Sequence, residues 1–361
     1  MHNLELSEEQ TMILETVRKL VTDVAGPKAL EHDEHGQFVR GSFDALAELG
    51  LLGVAVEEKH GGAGLGMLAL VVALEEIGKG CGSTARLLLS QCGLCGMALA
   101  GLDGAADTLG ELLVGSAIGS YVGPEHGIIA QKDGDGFALS GTCECATAAA
   151  EANWLCVAAT LDGAPALFLM PAAGAKVDAI APLGYRASAP ARITFAKSRV
   201  DGSTLCASGD AAKQAFARAQ VAALIGAAAI ATGSAFASVE HSRRHTEERI
   251  AFGKPLARQQ AVGHKLVEGM RRASAARHLT WHAARLFDLG QDALDVARMA
   301  KLTAVDAALL AADEGIQVHG GYGFTVEYHV ERHYRDAKTL EVLDGGSSSL
   351  RDALTAALAT R

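Results

Sequence analysis

Glu341-Val-Leu-Asp-Gly-Gly-Ser-Ser-Ser349 follows a long helical region and breaks it. Asp344 stands where an apolar run gives way to glycine and serine. On spacing alone such a break is a C-cap turn between two helices. It also has a chemical reading. A single carboxylate at a helix-to-loop break can be held over a substrate, and the glycines after it let backbone approach a ligand closely. What lies upstream decides between the two.

From about 210 the pattern is helical. One very long helix should run through Ala222–His245, a second from Gln259 to Leu289, a third from Leu294 to His319, and a short last one after Ser347. Before it, from roughly 118 to 206, short alternating runs are cut by Gly, Pro and Asp. Residues 137–141, 154–158, 166–170 and 191–195 read as strands, with Asp133-Gly-Asp-Gly136 as a hairpin turn. The first third is helical again. Ser7 and Gln10 make a capping box for a helix ending at Gly26-Pro27, and Phe43 and Leu46 mark a second that stops at Gly50. The cluster Gly61-Gly-Ala-Gly-Leu-Gly66 reads as a loop opening another helix, with no basic residue to make it a P-loop. The predicted plan is an α-helical domain over 1–117, a β-domain over 118–207 and a helical bundle over 208–361.

The chain has 361 residues, 49% of them hydrophobic, and a formal net charge of -10, which argues against a nucleic-acid surface. No apolar run reads as both long and uncharged enough to span a bilayer, and Met1-His-Asn-Leu-Glu-Leu6 lacks a signal-peptide pattern, so a soluble cytoplasmic protein is expected. Seven cysteines fit reduced thiols, with Cys92 and Cys95 as buried structural ones. The i, i+4 pairs His241/His245, His278/His282 and His329/His333 lack a metal motif and read as solvated helix faces. No metal site is expected.

Several segments together resemble the acyl-CoA dehydrogenase family over nearly the whole chain. Arg249-Ile-Ala-Phe-Gly-Lys-Pro-Leu-Ala-Arg-Gln-Gln260 is similar to its Arg-x-x-Phe-Gly-x-Pro segment, and Gln317-Val-His-Gly-Gly-Tyr-Gly-Phe324 to its Gln-x-x-Gly-Gly-x-Gly. Arg335-Asp336 with Glu341-Val-Leu-Asp-Gly345 resembles the run that ends at the family's catalytic base. The resemblance implies an α-domain, a β-barrel-like middle domain and a C-terminal four-helix bundle. It implies α,β-dehydrogenation of an acyl-CoA thioester with FAD, electrons passing to an electron-transfer flavoprotein. Asp344 becomes the base and Gly345 a substrate contact. Arg249, Phe252, Gln260, Gln317, Gly320, Gly321, Thr147 and Ser347 become cofactor residues, several reaching the FAD of a neighbouring subunit, so a dimer or a dimer of dimers is implied. The chemistry suits these residue types: a carboxylate takes the α-proton, a flavin accepts hydride, and an arginine binds pyrophosphate.

Three departures stand out. The base position holds Asp344 instead of Glu, one methylene shorter; nitroalkane oxidase, a family relative, also uses an Asp. Residues 211–239, where some members carry the base, contain no acid. The flavin-covering loop is reduced to Val122-Gly-Pro-Glu-His-Gly127 and lacks its serine. Cys145 replaces an aromatic beside the retained Thr147, and Gly346-Ser347 replace Thr-Ser. The losses fall on the chain's own half of the flavin site and the retained residues on the half given to a neighbour. That asymmetry resembles actinobacterial steroid-type enzymes with unlike subunits. It leaves open that this chain is a catalytically impaired partner completing a second subunit's FAD site in a hetero-oligomer.

Overall fold

The computed structural model describes residues 5–251 and 253–359. The first third is helical: α1 (Glu8–Leu20), α2 (Ala29–His35), α3 (Arg40–Glu48), α4 (Gly66–Gly80), α5 (Gly82–Leu88), α6 (Met97–Leu99) and α7 (Ala106–Leu113). Ser7 caps α1 with the expected reciprocal bonds to Gln10. Between α5 and α6 the chain stays coiled in a wide π-helical run, Leu89–Gly96, fully buried.

The strands are β1 (Gly119–Val122), β2 (Ile128–Asp133), β3 (Gly136–Ala146), β4 (Trp154–Leu161), β5 (Ala164–Pro171), β6 (Lys176–Ala179), β7 (Ala191–Val200) and β8 (Leu205–Ser208). They form one mixed sheet in the order β6-β7-β3-β2-β4-β5-β8. β1 and β2 lie end to end along β4, β1 pairing residues 154–157 and β2 residues 159–161, both parallel to it. Pro124, which has no N–H to give a ladder, and Gly127 at φ 62° turn the chain between them. The four strands read from alternation are β3, β4, β5 and β7; β1, β2, β6 and β8 are too short or too polar to carry that signal. One face of the sheet closes on its own core around Leu139, Phe168 and Ile193. Cys156, Leu167 and Leu169 point the other way, into the core shared by the helices.

The last third holds α8 (Asp210–Glu248), the short hairpin β9 (Ile250–Ala251) and β10 (Lys254–Pro255), then α9 (Gln260–Asp288), α10 (Leu294–His319), α11 (His329–Leu340) and α12 (Ser347–Ala359). The three long helices fall where expected. α11 was not anticipated, because its charged sequence, His329-Val-Glu-Arg-His-Tyr-Arg-Asp336, buries arginine, histidine and aspartate beside only three apolar side chains, Val330, Ala337 and Leu340. α8 is central: it packs on α4, α9, α10 and α11. Its alanines and glycines permit this. A Cβ on Gly233 would stand 2.1 Å from the Glu75 carbonyl oxygen of α4, so only glycine allows the two helices so close.

Two expectations are corrected. α8 is in fact long and apolar enough to cross a membrane, but 83% of its most apolar window is buried inside the protein, as a core helix. The histidine pairs of α8 and α11 are not solvated faces. His241 stacks on His329 with ring centroids 4.7 Å apart, and His245 on His319 at 4.2 Å, while buried His333 bonds Ser234 Oγ at 3.0 Å. Only His278 of the third pair is exposed.

Burial, with Arg332 alongside, pushes His241 down to about 4 and His329 to about 3, and His333 well below its usual range. Above pH 6.5 these rings are neutral in both folded and unfolded chains. As pH falls from there to about 4, the unfolded chain takes up protons that the folded column refuses, so stability is lost across that window. We expect a loss of about 2 kcal/mol by pH 5 for each such histidine. Urea midpoints at pH 7.5 and 5 measure it, and equal midpoints would contradict the neutral column.

Candidate active site

Asp344 sits on a tight turn between α11 and α12. Its φ of 53° is left-handed, a conformation Asp tolerates better than most side chains, and Gly345 follows at 86°. α11 is tied down on its polar face. Arg335 pairs with Asp33 of α2 at 2.5 Å and with Glu331 at 2.7 Å, and Asp336 accepts from the Tyr185 N–H at 2.7 Å. Burial pushes the Asp336 carboxyl up to about 6.

The turn itself is held by Lys301 of α10. The side chain has no exposed surface, and its ammonium donates to three successive carbonyls, those of Leu343, Asp344 (3.3 Å) and Gly345. Burial pushes this ammonium down to about 8, against the opposing pull of Asp344. Arg86 of α5, also enclosed, holds the Asp344 side chain. Its Nη1 donates to Oδ2, and its Nη2 reaches Oδ1 at 3.4 Å and Thr147 Oγ1 at 3.0 Å. Burial works against the Arg86 charge, and the adjacent carboxylate more than restores it.

Arg86, Thr147, Asp344 and Gly345 line a cavity of about 400 Å³, within the range of small-molecule sites. Its remaining wall is largely apolar, with Leu94, Phe216 and Leu224, and the turn around Pro124 closes one side. Cys145 lines it too, its thiol pushed up by burial while Arg86 draws it down. Ser347 is nearly buried at the start of α12, and its N–H bonds the Glu341 carbonyl at 2.9 Å; it does not reach the cavity wall.

The other predicted residues lie elsewhere. Arg249 follows α8, Gln260 begins α9, Gln317 is in the last turn of α10, and Gly320-Gly321 follow it. All are exposed. They share one end of the bundle, since His245 of α8 stacks on His319 of α10 and Lys265 of α9 pairs with Glu314 of α10. None lines the cavity. Phe252 lies outside the described residues. Among the described residues no cluster of three His, Cys, Asp or Glu is placed to hold a metal ion.

The bundle end fits a dinucleotide. It offers one exposed guanidinium for a pyrophosphate, two exposed amides, and two glycines at which a Cβ would meet nothing within 4 Å. At the cavity, Thr147 accepts from Arg86 and keeps its own O–H to donate to a ring acceptor. Sequence reasoning missed Arg86 and Lys301. Arg86 is the one cation of α5 and Lys301 follows Arg298 on α10, and only the fold shows what each faces.

Comparison with known proteins agrees with this fold. Residues 7–103 match the acyl-CoA dehydrogenase N-terminal domain and residues 193–359 its C-terminal domain. The chain is 32% identical to the bovine (Bos taurus) mitochondrial short-chain specific acyl-CoA dehydrogenase, over 97% of this chain and 90% of the relative. It superposes on butyryl-CoA dehydrogenase from Megasphaera elsdenii with a TM-score of 0.92 at 27% identity, covering 99% of this chain and 100% of that one. A chain from work on the electron transferring flavoprotein of Acidaminococcus fermentans gives 0.93 at 26% identity, covering 99% of each.

Removing the Lys301 ammonium strands three turn carbonyls. Lys301→Met should lower stability by about 2–4 kcal/mol, at roughly 1–3 kcal/mol for each buried group left unpaired and partial relaxation of the turn. Urea unfolding of the variant measures this, and a change below about 0.5 kcal/mol would mean the turn holds without the clamp.

Proposed function

The chain belongs to the acyl-CoA dehydrogenase family, and on that footing we propose that Asp344 is the base that takes the α-proton of an acyl-CoA. The protein is an oxidoreductase acting on CH–CH bonds, with FAD as its cofactor. The observation that carries the assignment is the clamped left-handed turn, which presents one carboxylate to a largely apolar cavity shared with Thr147.

Bound FAD supplies the acceptor for the β-hydrogen, as hydride. Asp344 Oδ receives the α-proton, and Lys301 keeps the carboxylate's backbone from drifting as the charge changes. Thr147 would hold the flavin side of the cavity, with Gly345 against the thioester. Leu94, Phe216 and Leu224 exclude water from the acyl group. Arg249, Gln260, Gln317 and Gly320-Gly321 would hold the dinucleotide of a second subunit, since they stand apart from this chain's own cavity. Exposed Ile250, Tyr322 and Phe324 border that bundle end and favour its being covered in an oligomer. The electron acceptor we assign is an electron-transfer flavoprotein, and the compartment the cytoplasm.

A second reading is favoured by one observation, the Arg86 guanidinium bonded to both Asp344 and Thr147. In it the chain's own site is closed and the bundle end completes the FAD site of an unlike partner, as in a steroid-type hetero-oligomer.

Visible absorbance of the purified chain, with flavin counted per subunit, separates the readings. We expect one FAD per chain, bleached by an acyl-CoA. Asp344→Ala should retain the flavin and lose turnover by roughly 10²–10⁴-fold, the usual worth of a positioned acid–base group. An active alanine variant would remove Asp344 from the reaction, and flavin that appears only on co-expression with a second family member would favour the partner reading.

A further inference from the structure

The cavity draws its polar groups from separate parts of the chain, among them Arg86 on α5, Thr147 after β3 and Asp344 after α11. One buried joint brings these parts together. A Cβ on Gly82, at the start of α5, would stand 2.7 Å from Asp336 Oδ2 and 2.7 Å from the Tyr185 ring. A Cβ on Gly184 would stand 2.6 Å from the Arg335 carbonyl oxygen. Helix α5, helix α11 and the loop between β6 and β7 therefore meet at close range, with Asp336 between them.

From Asp336 a short run of hydrogen bonds reaches Thr147. Asp336 Oδ1 accepts the Tyr185 N–H at 2.7 Å. The Tyr185 carbonyl accepts from the Ser188 hydroxyl at 2.8 Å and from the Ser188 N–H at 3.0 Å. The Ser188 carbonyl in turn accepts the Ala148 N–H at 2.9 Å, and the Ala189 carbonyl accepts the Ala150 N–H at 3.1 Å. The Ala148 N–H and the Thr147 carbonyl belong to one peptide, and that carbonyl accepts from buried Ser120 Oγ at 2.8 Å. The peptide after Thr147 is thus held on both sides.

Stability does not account for this joint. Asp336 is an enclosed carboxylate bonded to a neutral backbone N–H, a costly group to bury. The two arginines of α11 are engaged elsewhere, Arg335 by Asp33 and Glu331 and Arg332 by the Gly80 carbonyl. Among the described residues six other than glycine have left-handed backbone. Four of them, Ala148, Tyr185, Ala189 and Asp344, lie on this run or on the turn after α11. Such conformations persist only where the surroundings enforce them, and they gather at functional sites. What the joint fixes is a separation. The α-proton and the β-hydrogen leave adjacent carbons, so the carboxylate and the flavin side must keep one spacing, and a displacement of about 1 Å costs about a hundredfold in rate.

We propose that Asp336 is a positioning residue for the reaction: it ties the helix that leads to Asp344 to the peptide that carries Thr147, and so sets the spacing between the base and the flavin side. The inference rests on the reading of Asp344 as the base and Thr147 as a flavin contact.

The test uses the purified flavin-loaded protein. It reads turnover per bound flavin, the position of the flavin absorbance band, and FAD release by fluorescence. Asp336→Ala should lower kcat per bound flavin roughly hundredfold with KM within a few-fold, shift the band and release FAD faster. Asp336→Asn keeps an oxygen acceptor for the Tyr185 N–H without the charge, and should return kcat to within about tenfold of wild type. Ser188→Ala removes one of the two bonds to the Tyr185 carbonyl. It should shift the band in the same direction with a loss of a few-fold, and it carries the test if Asp336→Ala fails to fold. An Asp336→Ala protein that unfolds at lower urea but keeps the wild-type band and rate would overturn the inference, since the role would then be structural alone. So would an asparagine variant as impaired as the alanine one, a Ser188→Ala variant with wild-type band and rate, or a wild-type chain that takes up no FAD. Asp344→Ala in the same assays separates inference from reading. If it stays active while the band still depends on Asp336, the joint stands and the base reading falls. If it is inactive while Asp336→Ala matches wild type, the base reading stands and the inference falls.

Discussion

The ammonium of Lys301 is buried completely, and the carbonyls of three consecutive residues converge on it. A protein interior tolerates such a charge only when its donors are satisfied, and backbone at a helix break has free carbonyls to offer. Each side thus solves the other's problem. α10 could not bury Lys301 without the turn, and the turn could not hold Asp344 at a left-handed φ without a fixed point. The same logic extends along α11, where buried Arg332 donates to the Gly80 carbonyl at 2.9 Å, Arg335 pairs with Asp33, and Asp336 takes the Tyr185 N–H. A helix with few apolar side chains is seated by charged groups that each find a named partner on another part of the chain.

That seating explains which features can be read from the sequence. α8, α9 and α10 are long enough for composition and periodicity to speak, and β3, β4, β5 and β7 alternate over enough residues to be recognised. The motif residues were legible by resemblance, yet their places were not. Asp344 and Thr147 share the cavity, while Arg249 and Gln317 stand at the far ends of α8 and α10, whose first turns line it, and Gln260 begins α9 beside them. α11 was hidden because half of its buried residues, Arg332, His333 and Asp336, are polar, which periodicity counts as solvated. The histidines of α8 and α11 were misread for the same reason: i, i+4 spacing gives a face but not what covers it. Arg86 and Lys301 left no local signal at all, since a cation on a helix is ordinarily a surface residue.

The shorter carboxylate at 344 follows from the backbone that carries it. Glutamate is the family's usual choice, and its extra methylene extends the reach of the acid by about 1.5 Å, a carbon–carbon bond length. In this chain residue 344 is left-handed, where Asp is enriched because its short polar side chain bonds locally and crowds the backbone least. The Lys301 clamp fixes that conformation from behind, and Arg86 fixes the carboxylate from the front. A longer side chain on this backbone would drive its acid into the space that the guanidinium fills, against α5, where Ala85 and Leu87 leave no exposed surface. Asp344 and Arg86 therefore fit together on this backbone: the short acid stops where the guanidinium begins. The Asp344 carboxylate is thus held in front by a guanidinium and behind by an ammonium on its own backbone, a fixed position set by the fold alone.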